Sequence, residues 1–337
     1  MGVGAVSCGS WRRAVLACAF AAASAAVHAG PDEGFLHKDW FLRCDNTRTC
    51  RAEGYQAEGG ESPPVSLQLT RAAGPGTPVQ ARLQVYADDA VPGVVRLQVG
   101  SLVIPKLDLG APQIPQAEVP PLLQALLRAD EATVTAGKTT WRLSLAGANA
   151  VLLKMDERQG RVGTSGALVR KGPRDEASVL PPLQAPVVRA VVPVPTRKAD
   201  AALVAPLLAA LDRSAVEGEC GGNPMDPAGV RVHRLTERRV LLELPCLMGA
   251  YNAGSLLFMA NDRPPYQPVV VADVDGEFDP STGTATASMK GRGLGDCWSV
   301  REWRFNGQGF TLSAERADGM CRGFPGGAWQ TPVYVSR

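Results

Sequence analysis

Trp40-Phe41-Leu42-Arg43-Cys44-Asp45-Asn46-Thr47-Arg48-Thr49-Cys50-Arg51-Ala52-Glu53-Gly54-Tyr55 decides the fold class of this chain. A strand-like apolar run enters, five polar residues follow between two cysteines, and a second strand-like run leaves. Cysteines at facing strand ends satisfy the Cα separation of under about 7 Å that a disulfide needs. The run therefore reads as a disulfide-tied β corner. It holds no nucleophile with a base and no metal-ligand spacing, so it speaks for architecture and not for chemistry.

Upstream of the corner lies an export leader, expected over residues 1–29. Arg12 and Arg13 supply the charged start, 14–23 the apolar stretch, and Val27-His28-Ala29 the small-x-small cleavage site. A lipoprotein anchor at Cys18 is the competing reading, but only four residues separate it from Arg13. The twin-arginine route is a third, and Trp11 before the pair fits it poorly. No later stretch reaches the ~18 apolar residues of a membrane span. The expected location is periplasmic or secreted.

Losing the leader also removes Cys8 and Cys18 of the eight cysteines. Cys44, Cys50, Cys220, Cys246, Cys297 and Cys321 remain, an even set that suits disulfides in an oxidising compartment. If the halves fold separately, Cys44–Cys50 is forced and three pairings are open for the other four. Hairpin geometry favours Cys297–Cys321, flanking the Asn306-Gly307 turn, and Cys220–Cys246 around Thr236-Glu237-Arg238; the rivals join Cys220 to Cys297 or Cys321. Without Arg12 and Arg13 the 35 basic residues fall level with the 33 acidic ones. A balanced chain with no basic tract offers no footprint for nucleic acid.

Alternation and turn signals predict strands at 65–70, 79–85, 94–99, 102–104 (across the Gly100-Ser101 hairpin), 133–136, 139–145, 230–235, 240–244, 255–260, 269–274, 285–289, 298–305 and 310–314. In 65–70 the alternation implies one buried and one solvent face. Short helices are expected at 120–128, opened by proline, and from 148 to a stop at Gly160. A third is expected over 200–213 with Asp200 as N-cap, although Pro206 must sit in its first turn or kink it. Six prolines between 173 and 195 mark a linker or an extended strap. The plan is α+β and β-rich: a leader (1–29), an N-terminal β domain (30–172), the Pro-rich connector (173–198) and a C-terminal β domain (199–337). Both domains are mainly antiparallel and disulfide-tied, with few helices. An echo between 143–155 and 242–259 hints at duplication, although Leu, Ala and Gly are common enough to produce it by composition.

Motifs that carry chemistry are weak. His37 and His233 have no evident partner. In Lys290-Gly291-Arg292-Gly293-Leu294-Gly295-Asp296-Cys297 a glycine-rich loop runs into a strand, where a dinucleotide fingerprint would open a helix. Counting from Asp273, a calcium loop needs Gly at the sixth place and Glu at the twelfth; Phe278 and Thr284 stand there. Asp156-Glu157-Arg158-Gln159-Gly160-Arg161 reads as a solvated helix end, with a recognition patch as the alternative. Trp298 and Trp303 fall on opposite strand faces, so one is free to anchor a partner. Arg48, Arg51, Asp156, Glu157, Arg292, Trp298 and Trp303 are the candidate recognition residues. No catalytic, metal-binding or cofactor-binding residue is assigned.

The segments 40–55, Met155-Asp156-Glu157-x-Gln159-Gly160-Arg161, Pro245-Cys246-x-x-Gly249-Ala250-Tyr251-Asn252 and 290–297 together resemble a family of exported proteobacterial proteins, domain of unknown function 1176. The first half also resembles, to a lesser extent, the invasion-associated locus B proteins, β-rich exported modules with a Trp-x-x-x-Cys start. Neither resemblance supplies a catalytic residue. The expected role is binding or envelope maintenance, with an unidentified protein or envelope component as partner. The alternative is an envelope hydrolase working through Asp156 and Glu157, which needs a second acid about 5 to 9 Å away.

Overall fold

The computed structural model describes residues 34–88, 93–220 and 229–337, with backbone alone at 215, 219, 247 and 272–275. The leader and its cleavage point after Ala29 lie outside the described residues, and so do the side chains of Asp273 and Asp275.

The β corner opens an antiparallel sheet whose strands follow chain order: β1 (Phe35–His37), β2 (Trp40–Cys44), β3 (Cys50–Tyr55), β4 (Val65–Arg71) and β5 (Val79–Val85). Cys44 and Cys50 face each other in register and are bonded, with Cα atoms 3.9 Å apart. Asp45 shapes the turn between them: one carboxylate oxygen accepts the N–H of Thr47 at 2.8 Å and of Thr49 at 3.2 Å. Such local side-chain bonds are how Asp closes turns.

A second sheet, β6 (Val94–Val99), β7 (Leu102–Asp108), β8 (Glu131–Ala136) and β9 (Thr139–Ser144), runs in the order β7-β6-β8-β9. Helix α1 (Val119–Leu126) packs against β5, β6 and β7, and helix α2 (Ala148–Arg158) against β1, β2 and β3 of the first sheet. One core joins both sheets and both helices, with Trp40, Leu67, Leu97, Leu122, Trp141 and Leu152 among its fully buried members. The two buried indoles keep their N–H groups satisfied, Trp40 on the Ser144 carbonyl at 2.9 Å and Trp141 on the Tyr86 carbonyl at 2.8 Å.

The expected helix over 200–213 is instead a 3-10 turn (Lys198–Leu203), then α3 (Val204–Ala209) and α4 (Arg213–Glu219). Pro206 explains the correction: lacking an N–H, it belongs in a first turn, and it occupies one in α3. Asp200 does cap, but from the third position of the 3-10 turn, accepting the Arg197 N–H at 2.8 Å.

Eight strands in chain order form the third sheet: β10 (Arg231–Arg234), β11 (Arg239–Met248), β12 (Ala253–Asn261), β13 (Val269–Asp279), β14 (Thr284–Lys290), β15 (Trp298–Phe305), β16 (Phe310–Ala317) and β17 (Thr331–Val335). Val232, Val240, Leu242 and Leu244 face Leu207 of α3, Leu211 between the helices and Val216 of α4. The alternate residues Leu241 and Leu257 face Phe278, Ala285 and Phe305 of the same sheet. Both faces of β11 are thus covered because the sheet doubles back at β13. Its register with β12 breaks there, Leu257 facing Ala272 and Ser255 facing Gly276. At the far end Arg239 of β11 reaches the Gln308 carbonyl at 3.1 Å. The remaining disulfides are Cys220–Cys246 and Cys297–Cys321. Of the echo, 143–144 and 242–244 are both strand, but 148–155 is helix where 253–259 is strand, so the two stretches part in conformation.

The half-solvated strand expected at 65–70 is corrected. Glu53, Tyr55, Ser66 and Gln68 are buried on the face opposite the core. Residues 317–335 cover them, and Asn46 exchanges two hydrogen bonds with Val335, at 3.0 and 2.8 Å. The Pro-rich connector is an extended strap. It donates backbone N–H groups from Leu183 to Thr47, Val188 to Arg337, Val191 to Phe305 and Val194 to Leu235.

Candidate recognition rim

Two tips of the third sheet meet at one rim. The first is the β11–β12 turn, where the Gly249 N–H reaches the Asn252 carbonyl at 2.7 Å. The second is the loop 291–297 between β14 and β15. Asn252 clamps the two together: its amide oxygen accepts the Lys290 N–H at 2.9 Å and its amide nitrogen donates to the Lys290 carbonyl at 3.2 Å. Gly293 lies so near Tyr251 that a Cβ there would sit 3.5 Å from the ring. The Gly-Ala-Tyr-Asn and Lys-Gly-Arg-Gly-Leu-Gly-Asp-Cys motifs, some forty residues apart in sequence, thus form one surface.

The second tip is held stiffly. Asp296 is buried, and both its oxygens are engaged by Arg292, Oδ1 at 2.7 Å from Nε, while Oδ2 also takes the Gly323 N–H at 2.6 Å. Burial alone would raise this carboxyl, but the Arg292 pair and the Gly323 N–H hold it below the ordinary range. Its Cys297–Cys321 neighbour is oxidised, so those sulfurs offer no thiolate ligand although they converge with Asp296. Gly291 is required by this packing, since a Cβ there would meet Cys297 Sγ at 2.7 Å. The Trp298 indole donates to the Gly295 carbonyl at 2.9 Å, and the Lys290 ammonium lies 5.2 Å over its ring. On this rigid base Met248, Tyr251 and Leu294 stand 74, 45 and 69 % exposed.

Of the residues singled out from sequence, Arg292 and Trp298 belong to this rim. Arg48, at φ 66°, is at the tip of the β2–β3 corner and donates to the Pro181 carbonyl of the strap at 3.0 Å. Arg51 pairs with Asp45 at 2.9 Å. Trp303 is half-buried against Leu241, Phe278 and Phe305. Met248, Tyr251 and Leu294 were missed. An aromatic flanked by Gly249 and Asn252 between two strand patterns is the signal that marks Tyr251 as a hairpin tip.

The helix end 156–161 is not solvated. Asp156, Gln159 and Arg161 are fully buried. Asp156 Oδ2 accepts the N–H groups of Leu168 at 2.7 Å and Val169 at 3.0 Å, and Oδ1 lies 3.8 Å from Arg71. Burial holds its carboxyl above the ordinary range, against those bonds. Burial and the neighbouring Arg161 hold Arg71 down to about 10. Glu157 turns outward to Lys154 at 2.9 Å. The two carboxylates weighed for hydrolysis therefore diverge, one sealed and one in solvent.

A family model for a protein of unknown function, DUF1176, matches residues 34–336. The chain belongs to the DUF1176 family. An uncharacterised protein of Escherichia coli strain K12, YpfG, is 29 % identical to this DUF1176 chain, over 89 % of it and 92 % of the relative. No solved structure matches. The match runs through both halves and gives no support to the likeness with invasion-associated locus B proteins.

Proposed function

We propose that this DUF1176 protein is an exported, non-catalytic binding module whose rim takes a protein of the cell envelope. The observation that carries the reading is the trio Met248, Tyr251 and Leu294, exposed on tips fixed by Asn252 and by the Cys297–Cys321 bond. Apolar and aromatic side chains lose little entropy on binding when their backbone is already fixed, and such anchors carry much of an interface's energy. Three disulfides argue for a compartment outside the reducing cytosol, and a leader cleaved after Ala29 would deliver the chain there. Among the described residues no helix is long and apolar enough to cross a membrane.

Oxidative footprinting tests the reading. Met248 and Tyr251 should be labelled readily in purified protein and protected when the protein sits in its native envelope. A Tyr251→Ala, Leu294→Asp double variant should keep its melting temperature and lose the cross-linked partner that the unaltered protein captures. Equal labelling in both settings, or equal capture by both proteins, would overturn it.

A further inference from the structure

Residues 317–335 form an arm that leaves β16 beside the rim, lies against the first sheet and returns to pair with β16 as β17. At the rim, Cys321 is bonded to Cys297, the Asp318 N–H donates to the Trp298 carbonyl at 2.9 Å, and Asp318 Oδ2 accepts the Trp298 N–H at 2.9 Å. The other Asp318 oxygen accepts the N–H groups of Trp329 at 3.1 Å and Gln330 at 3.0 Å, folding the arm back on itself. At the sheet, the Trp329 indole donates to Ser66 Oγ at 2.7 Å, and Gln56 donates to the Arg322 carbonyl at 2.7 Å.

The centre of the docked surface is Glu53, wholly shielded from solvent. Its Oε1 accepts from the Gln68 amide at 3.1 Å and from the Thr331 hydroxyl of the arm. Its Oε2 accepts from the Tyr55 hydroxyl at 2.9 Å, and a Cβ on Gly319 of the arm would lie 2.7 Å from it. No cation pairs with Glu53 among the described residues. Arg43 is spent on the Ala317 carbonyl at 3.4 Å, and Arg322 on Asp39 at 3.1 Å. The titratable groups that act on Glu53 are Tyr55, beside it on β3, and Asp318 of the arm. β4 contributes only the uncharged Ser66 and Gln68, and β17 only Thr331.

A carboxylate without a cation in such a place is costly, whereas the neutral acid needs a single acceptor, which the Thr331 hydroxyl supplies by turning its own proton away. Burial lifts the Glu53 carboxyl above the ordinary range, outweighing the three donors, and Asp318 pushes the same way. Burial, and then Glu53 itself, lifts the Tyr55 phenol well above its usual 10, so Tyr55 remains a donor. We propose that Glu53 is a proton-operated latch: protonated it holds the arm on the first sheet, and ionised it releases the arm and slackens the rim. This goes beyond the binding reading and does not depend on it.

The sign follows from proton linkage. The docked form keeps a proton that the released form has lost, so docking is firmest below the ordinary glutamate range and weakens as pH rises through the raised value. One linked proton gives about a tenfold rise in the opening constant per pH unit in that window. Hydrogen exchange of the mature full-length protein, corrected for intrinsic rates between about pH 5 and 9, should show this slope in 317–335 and in 290–298. Glu53→Gln should show none in either segment. Slopes shared by both proteins, or a flat profile at either segment of the unaltered protein, would sink the proposal. Should Glu53→Gln fail to fold, the side-chain carboxyl carbon of Glu53 in the unaltered protein decides by NMR titration. A titration at or below the ordinary glutamate value overturns the latch, and one displaced upward supports it.

Discussion

Arg161 carries a guanidinium into the interior with every direction satisfied. Nε donates to Gln159 at 3.0 Å, Nη1 to Glu176 at 3.0 Å, and Nη2 to the Gly74 carbonyl at 2.6 Å and Thr77 Oγ1 at 2.7 Å. Removing one partner of a buried charged network leaves uncompensated groups behind, at a cost of about 3–5 kcal/mol. Arg161→Met is therefore expected to lower the unfolding free energy by that amount, read as a lower urea midpoint with the slope of the transition unchanged. Gly319→Ala tests the arm's close approach: its Cβ would meet the Phe41 ring at 2.4 Å and Glu53 at 2.7 Å. Overpacking of this kind costs about 1–3 kcal/mol, readable as a lowered melting temperature, while Gly218→Ala, with open space around it and no left-handed backbone, is a control for clash. At this scale the sequence misleads. Nothing in Asp156-Glu157-Arg158-Gln159-Gly160-Arg161 distinguishes a sealed helix end from a solvated one, because what seals it arrives from residues 72–77 and 164–180.

At the scale of elements the reading is better, since period and turn chemistry are local. Asn306-Gly307 marked its hairpin, and the three disulfides match the pairing that hairpin geometry favours. β1 and β17 escaped. Three residues are too few to show a period, and Pro332 argues against a strand unless it lies at an edge, where β17 does lie. The disulfides themselves should differ in weight. Cys297–Cys321 spans 24 residues and Cys44–Cys50 only 6. Loop-closure entropy then assigns about 3.5 kcal/mol to the first and about 2.4 kcal/mol to the second. Paired Cys→Ser variants should fall in that order by thermal melting. The Cys297/Cys321 pair should also abolish rim protection in the footprinting experiment; protection that survives would show that Asn252 and Asp296 hold the tips unaided.

At the scale of the molecule, separate apolar cores lie on either side of the strap, the first in residues 40–155 and the others beyond 203. We keep the division at 172 and 199 as a proposal about folding units. Their contact is buried and mixed, polar through Asn46 with Val335, Ser66 with Trp329 and Glu53 with Thr331, and apolar where Tyr55 packs with Phe324 and Ala328. A protease site placed at 184–186 should therefore yield two fragments that elute as one species and part only in denaturant. Separation in native buffer would show the docking to be dispensable. None of this was legible beforehand, because an alternating polar face looks the same whether water or a distant segment lies against it.

The arm is synthesised long after the surface it covers. A chain emerging from its N-terminus therefore completes β3 and β4 some 250 residues before their outer face has anything to lie against. During that interval Phe41, Tyr55 and the Glu53 carboxyl stand open to whatever holds the nascent chain. Long-range closure of this kind is slow, since the intervening loop must be ordered before any contact rewards it. A message cut short before residue 317 would leave the same face bare for good. β17 thus acts as a receipt for the strands made before it, and any protease or chaperone that recognises the open face can tell copies that carry it from copies that do not.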